Sequence, residues 1–224
     1  MVRRTKEEAL ATRHALLDAA EHLFQQRGVS RTTLNDIAQA AGLTRGAIYW
    51  HFKDKADLFN AMMERVTLPM EESLQRLDES DDPLVKIRSS MTDALLKVIE
   101  DPQARRVFDI AMNKVEYVDE MEAVKERHLS ARDECVAHLQ DGLRVAARQR
   151  GVKLPVPHAI AAHGLHAMID GLIQNWLLSP GAFDLVVTSK RALDTYLAGL
   201  GLADSGEDVR PVTAKVIPLR AARR

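Results

Sequence analysis

The sequence predicts an all-α protein: an N-terminal three-helix domain carrying a helix-turn-helix, then a larger helical body, about nine helices in total. Three observations carry this. Apolar residues recur at helical spacing along most of the chain, and no run alternates as a half-buried strand does. Alanine and leucine are plentiful while aromatics make up 4% of residues, a composition suited to helices packed on helices. Glycine, proline and aspartate cluster in short breaks between the periodic segments.

The first helix is predicted from Lys6 to Gln26, with Leu16, Leu17, Ala20, Leu23 and Phe24 as its buried stripe and Gly28 ending it. Arg3, Arg4 and Lys6 at its start either touch phosphate or minor groove or form a solvated tip. The stretch from Thr33 to Lys55, TLNDIAQAAGLTRGAIYWHFKDK, reads as two short helices around a tight turn. Leu34, Ile37, Ala38 and Ala41 give the first an apolar stripe, and Thr33 with Asp36 forms a capping box. Gly42 suits the left-handed residue that follows a helix end. Thr44 caps the second helix, with Leu43 and Ile48 spaced as a hydrophobic staple. Ile48 and Phe52, one turn apart, face inward and leave Gly46 and Trp50 on the opposite side.

The outward face of this second helix holds no acid and almost no aliphatic bulk. Gly46 and Ala47 let a backbone approach base edges, and Arg45 can reach guanine or phosphate. Tyr49, Trp50, His51 and Lys55 offer donors to phosphate oxygens, while Thr33 and Thr44 stand at the two helix starts. These nine residues form the candidate DNA-binding set. Spacing alone fits equally well two packed helices whose aromatics cover a neighbour.

A fourth helix begins at about Asp54 with Leu58, Met62 and Met63 inward. Pro69 lacks the N–H that a helix interior uses, so a break is predicted near Thr67 to Pro69. This helix joins the small DNA-reading domain, residues 1–53, to a larger helical body, residues 54–203, the ligand-binding and dimerisation domain if the resemblance given below holds. Further helices are predicted at 83–100, 102–115, 119–150, 157–179 and 184–200. Asp101-Pro102, Gly151 with Pro155 and Pro157, and Ser179-Pro180-Gly181 punctuate them. In the last two, residues such as Ile160, Leu165, Leu172, Trp176 and Leu178 exceed one helix face, so one side can line a pocket while another meets a partner. A two-fold homodimer through these helices sets two recognition helices about one DNA turn apart, which predicts a palindromic operator. Residues 204–224, with five basic residues after Asp208, read as a flexible basic tail. It is either merely solvated or adds non-specific attraction to DNA.

Composition narrows the classes further. At 224 residues and 46% hydrophobic content the chain buries a sizeable core. Its net charge of −1 is unlike that of a general nucleic-acid binder, but residues 1–60 hold nine Lys and Arg against seven Asp and Glu. DNA affinity would rest on local placement. The one cysteine, Cys135, excludes an internal disulfide and fits a reducing cytosol; a buried packing role for it competes with redox sensing. The basic start MVRRTKEE is followed by no apolar segment, and the apolar run 159–178 contains His163, His166, Asp170, Gln174 and Asn175. Neither export nor a membrane span is predicted, and the cytoplasm is the expected location. His163 and His166 lie one turn apart without an acidic or cysteine partner, and phosphate-loop, HExxH and GxSxG patterns are absent. No cofactor, metal or enzyme chemistry is implied.

TRGAIYWHFKDKADLF, preceded by GVSRTTLNDIAQAAG and the opening VRRTKEEA, resembles the signature of TetR-family transcriptional regulators. The likeness is to the AcrR/TtgR-like subgroup that represses multidrug efflux pumps, and it is close over residues 2–60. Looser likeness in FDIAMNKVEYVDEM and IDGLIQNWLL extends it over most of the chain. The resemblance implies a homodimeric repressor that binds double-stranded DNA and encloses a hydrophobic drug-like molecule in its body. By position the implied pocket includes Phe108, Met112, Ile169, Asp170, Ile173 and Gln174. Met91, Leu95 and Met168 join them as adaptable apolar side chains that pack equally well in a plain core. TtgR-like repressors carry polar Asn and His at the positions of Phe108 and Met112 and arginine at that of Gln174, so a more apolar pocket is expected here. Asp170 either holds a structural hydrogen bond or receives a ligand's donor or cation. A same-fold regulator answering to a metabolite or lipid is the alternative.

Overall fold

The computed structural model describes residues 6–76 and 82–203, and among these every regular element is helical. In chain order they are α1 (Lys6–Arg27), α2 (Leu34–Ala40), α3 (Arg45–His51), α4 (Lys55–Arg76), α5 (Pro83–Glu100), α6 (Pro102–Asn113), a 3₁₀ turn (Asp119–Met121), α7 (Glu122–Gln149), α8 (His158–Leu178) and α9 (Leu185–Gly199). Arg3, Arg4 and the basic tail lie outside the described residues.

The body helices start where side chains can take the first free N–H groups. Asp82 accepts from Leu84 N at 2.9 Å, and Asp101 accepts from Gln103 N and Ala104 N at 2.8 and 3.2 Å. Pro83 and Pro102 follow with their φ already helical and no N–H to satisfy. Asp184 serves α9 in the same way, accepting from Val187 N. These boundaries agree with the punctuation to about a residue, except that α6 ends at Asn113, two residues early, and the helix expected from 119 opens as the 3₁₀ turn, with α7 itself starting at Glu122.

The break expected near Pro69 does not occur: α4 runs unbroken through Pro69 to Arg76. A proline removes one backbone hydrogen bond and crowds one carbonyl, a local cost of about 3 kcal/mol. Leu58, Phe59, Met62 and Val66 bury the preceding turns in the core, which offsets it.

Three apolar clusters hold the molecule together. The first joins α1 to α4 with Ala104, Val107 and Ile110 of α6 and with Met121 and Val124. Leu16, Leu17, Phe24, Ile37, Ile48 and Phe52, all expected inward, are buried in it. Packing is therefore continuous across the division placed at residues 53 and 54. The second cluster joins α5, α7, α8 and α9 around Leu143, Leu165, Leu193 and Leu197. The third gathers Leu95, Val98, Ile173, Trp176, Leu177 and Leu185. Phe108 of α6 packs against both the first and the third. Among the described residues no helix is long and apolar enough to cross a membrane.

Candidate nucleic-acid interface

The α2–α3 pair is held rigid by its own caps. Thr33 N and Thr33 Oγ1 both donate to Asp36 Oδ2, at 2.9 and 2.7 Å, and Asp36 N donates back to Thr33 Oγ1 at 3.2 Å. The Thr33 hydroxyl, with its backbone N–H second, holds the Asp36 carboxyl below its ordinary pKa. Gly42 has φ +68°. That conformation lets Gly42 N reach Gln39 O and Leu43 N reach Ala38 O, at 3.0 and 2.8 Å, closing α2 with a Schellman motif. Thr44 then accepts from Ala47 N at 3.3 Å and starts α3. Behind the pair, the Arg13 guanidinium lies 5.2 Å from the centre of the Phe52 ring.

With Ile48 buried beneath, the opposite face of α3 is open. Trp50 is 73% exposed and Tyr49 50% exposed. Arg45 is exposed and stacks over Tyr49, with its guanidinium carbon 5.7 Å from the ring centroid. Half-buried His51 meets Trp50 edge-on at 4.6 Å. Glycine inside a helix costs about 0.5–1 kcal/mol relative to alanine. A Cβ placed on Gly46 would meet only Thr44 Oγ1, at 4.0 Å, so nothing within the chain demands glycine there. Thr44 retains a hydroxyl proton that its capping role does not use.

Two of the nine candidates are placed differently. The Thr33 hydroxyl proton is already given to Asp36, so Thr33 acts on the interface by fixing α2. The Lys55 side chain is 12% exposed; its Nζ donates to Val29 O and Thr32 O at 3.2 and 3.3 Å and pairs with Glu120. The expected phosphate donor is thus turned inward, because two carbonyls of the α1–α2 turn and a carboxylate surround it. Replacing Lys55 with Ala is expected to cost about 1–3 kcal/mol of stability. It should weaken binding to every DNA sequence without changing the slope of affinity against salt, since no phosphate contact is lost. A slope reduced by about one would return Lys55 to the phosphate-contacting set.

In the body, Leu95, Phe108, Met112, Ile169 and Ile173 come together in the third cluster, while Met91 and Met168 pack against the second. Gln174 is not brought to them: it is exposed on α8. Asp170 is half-buried and acts on Cys135 of α7, whose thiol is pushed up first by desolvation and then by the Asp170 charge. Cys135 itself is exposed rather than buried, since α7 turns that position outward. A cavity of about 80 Å³ lies elsewhere, between α4, α6 and α7, against Phe59, Met63, Thr67, Tyr117, Arg127 and His128. The Thr67 hydroxyl there is buried without a hydrogen-bond partner.

Comparison with known proteins decides what this arrangement is. The model of the bacterial regulatory proteins of the tetR family matches residues 16–62, and that of the MAATS-type transcriptional repressor C-terminal region matches residues 82–201. The chain belongs to the TetR family. It is a transcriptional regulator and not an enzyme. It is 39% identical over 206 residues to the HTH-type transcriptional regulator TtgR of Pseudomonas putida, covering 91% of this chain and 98% of that one. The crystal structure of NalD, secondary repressor of the MexAB-OprM multidrug efflux pump in Pseudomonas aeruginosa, superposes with TM-score 0.78 at 36% identity, covering 87% and 98% of the two chains. SmeT, repressor of the Stenotrophomonas maltophilia pump SmeDEF, solved in complex with triclosan, gives TM-score 0.73 at 34% identity over 90% and 99%.

In this TetR-family regulator, helical spacing did not reveal how reader and body are joined. Glu21 of α1, 1% exposed, receives Arg65 of α4, Gln103 Nε2 at 3.0 Å and Arg106 Nε at 3.3 Å, the last two from α6. Nearby, Val29 N donates to Lys114 O at 3.1 Å and Ser30 Oγ to Glu116 at 3.2 Å. With Lys55, these bonds fasten the start of the helix-turn-helix to the connection after α6. A charged residue at a buried register on α1 was the available signal for Glu21; its partners lie 44 to 85 positions away.

Proposed function

We propose that the chain is a homodimeric repressor that sits on a palindromic operator of a multidrug efflux operon and leaves it when a hydrophobic small molecule binds. Gly46 carries the DNA half of this reading, as a first-turn glycine of α3 without internal cause beside exposed Arg45, Tyr49 and Trp50. Thr44 and Ala47 complete the contacting face, whereas half-buried His51 keeps its Nε2 beneath it. The relatives supply the effector half, since they include efflux-pump repressors and a triclosan complex. Ile160 and Leu178 of α8 and Val187 of α9 are 58%, 66% and 51% exposed, apolar surface that supports pairing through these helices. The place of action is the cytoplasm, where the DNA is.

A drug-sized ligand takes a pocket of about 300–1,000 Å³. The cavity beside Thr67 holds about 80 Å³, too little for one, and the candidates Met91, Leu95, Phe108, Met112, Met168, Ile169 and Ile173 lie in apolar clusters that a ligand entering among them would part. Phe108 touches the reader's core as well, and α6 is bonded to α1 through Glu21. Parting the clusters therefore shifts the reading heads. The ligand binds the DNA-incompetent form more tightly, and DNA weakens ligand binding by the same factor.

The test titrates labelled DNA from upstream of the chain's own gene with purified protein, with and without triclosan. Saturating triclosan is expected to weaken binding about 5- to 150-fold, a coupling of about 1–3 kcal/mol. Affinity that no hydrophobic compound alters sinks the effector half, and indifference to the upstream DNA sinks the operator half.

A further inference from the structure

We propose that Ser189 of α9 is the polar anchor of the effector pocket and selects ligands that carry a hydroxyl group on an otherwise apolar, uncharged frame. The proposal rests on the effector reading given above. Ser189 is 1% exposed, and its Oγ has no hydrogen-bond partner. Within a helix, a hydroxyl usually meets its need by bonding the carbonyl four residues back. Thr12, Thr92 and Thr195 do so here, at 2.7, 2.8 and 2.8 Å. Ser189 does not, so its oxygen turns away from its own backbone. Orphaned buried hydroxyls are rare, and each calls for a cause.

Its surroundings follow from how α9 is pinned. Arg88 Nε donates to Asp194 at 3.1 Å, and Leu95 shares a cluster with Leu185, so α9 runs antiparallel to α5. Tyr196 OH donates to Ala161 O at 2.9 Å while Leu177 shares a cluster with Leu185, which gives the same sense against α8. Leu185, one turn before Ser189, belongs to the third cluster, and Leu193, one turn after, to the second. Ser189 stands at the seam between them. Met91 and Met168 belong to the second cluster's side of that seam, and Leu95 and Ile169 to the third's. These are pocket candidates that parting the clusters would uncover.

The chemistry at the seam is that of a lone hydroxyl among hydrocarbons. A serine hydroxyl donates one hydrogen bond and accepts others, so it pairs with a phenol or alcohol in either sense. It offers no charge to balance an ion. At Ser189 itself an ion finds no counter-charge, and the hydroxyl of a phenol with apolar rings is a good partner.

Triclosan, a chlorinated phenol, and its O-methyl ether form the test pair, bound to the full chain and followed by calorimetry. The unaltered protein is expected to bind the phenol about 10-fold more tightly than the ether, the worth of about one hydrogen bond. Ser189→Ala should bind both alike, and Ser189→Thr should retain the preference. The ligand-free Ser189→Ala protein should melt about 2–4 °C higher, because an unmet polar group leaves the core. A preference that survives Ser189→Ala, or a lower melting temperature for that variant, overturns the assignment of Ser189 alone. If the unaltered protein binds neither compound, the effector reading falls and this proposal with it.

Discussion

Replacing Glu21 with alanine is expected to destabilise the protein by about 2–4 kcal/mol, read as a lowered midpoint of chemical denaturation. Glu21 is 1% exposed and is the point where Arg65 of α4 and Arg106 of α6 meet α1. Removing it leaves two guanidinium groups facing each other with their shared anion gone. Losing one partner of a buried ion pair typically costs about 3–5 kcal/mol. The expectation is set lower because the arginine side chains keep 20% and 24% exposure and Arg65 retains Asp18 at 2.8 Å. Replacing all three, Glu21→Leu with Arg65→Met and Arg106→Met, should recover most of the loss, since an apolar set of similar volume needs no counter-charge. The triple variant separates stability from signalling. If the network carries the effector's message, this protein folds and binds operator, yet triclosan releases it less. Full release by triclosan would move the coupling to Phe108 and the apolar contact alone.

The network also marks where sequence patterns stop being informative. Helix ends are legible because their causes are local: Asp82 before Pro83, Asp101 before Pro102, and the Thr33–Asp36 capping box each act within three residues. Inward stripes are legible because the helical period selects one face, and Leu16, Ile37, Ile48 and Leu58 are all buried. The open face of α3 is legible for the converse reason, as Ile48 and Phe52 take the inside and leave Gly46 and Trp50 out. Periodicity says which side of a helix is covered but not by what. It therefore offers Lys55 to phosphate, although three acceptors of its own chain surround that ammonium. Gln174 shares a helix with Ile173 but lies a further 100° round, and it is exposed. Thr67 and Arg127 line one cavity from helices 60 positions apart, a meeting that no local pattern announces. The break expected at Pro69 fails because a local rule, correct in its cost, ignores the packing that offsets it.

Arg45→Ala should have the largest effect on operator binding, about 2–6 kcal/mol or roughly 30- to 25,000-fold, measured by titration of operator against random DNA. Each half-site of a palindrome meets one copy of α3, so a single substitution removes two contacts, each worth about 1–3 kcal/mol when an arginine grips guanine. The fold should not notice. Arg45 is exposed and stacks on the Tyr49 ring beneath it, so the change in stability should stay within the range of ordinary surface substitutions, about 0.5 kcal/mol. Stacking on Tyr49 holds the guanidinium ready before DNA arrives and lowers the entropy lost on contact. Tyr49→Ala should accordingly cost less than Arg45→Ala but act in the same direction, and Arg45→Lys should restore charge without restoring discrimination, because an ammonium cannot grip one base edge with two parallel bonds. The decisive comparison is between the two DNAs. Loss concentrated on the operator makes Arg45 a reader of sequence. Equal loss on operator and random DNA, together with a salt slope reduced by about two for two vanished phosphate contacts, makes it an anchor to the backbone and leaves Gly46 and Ala47 to bring α3 against the bases.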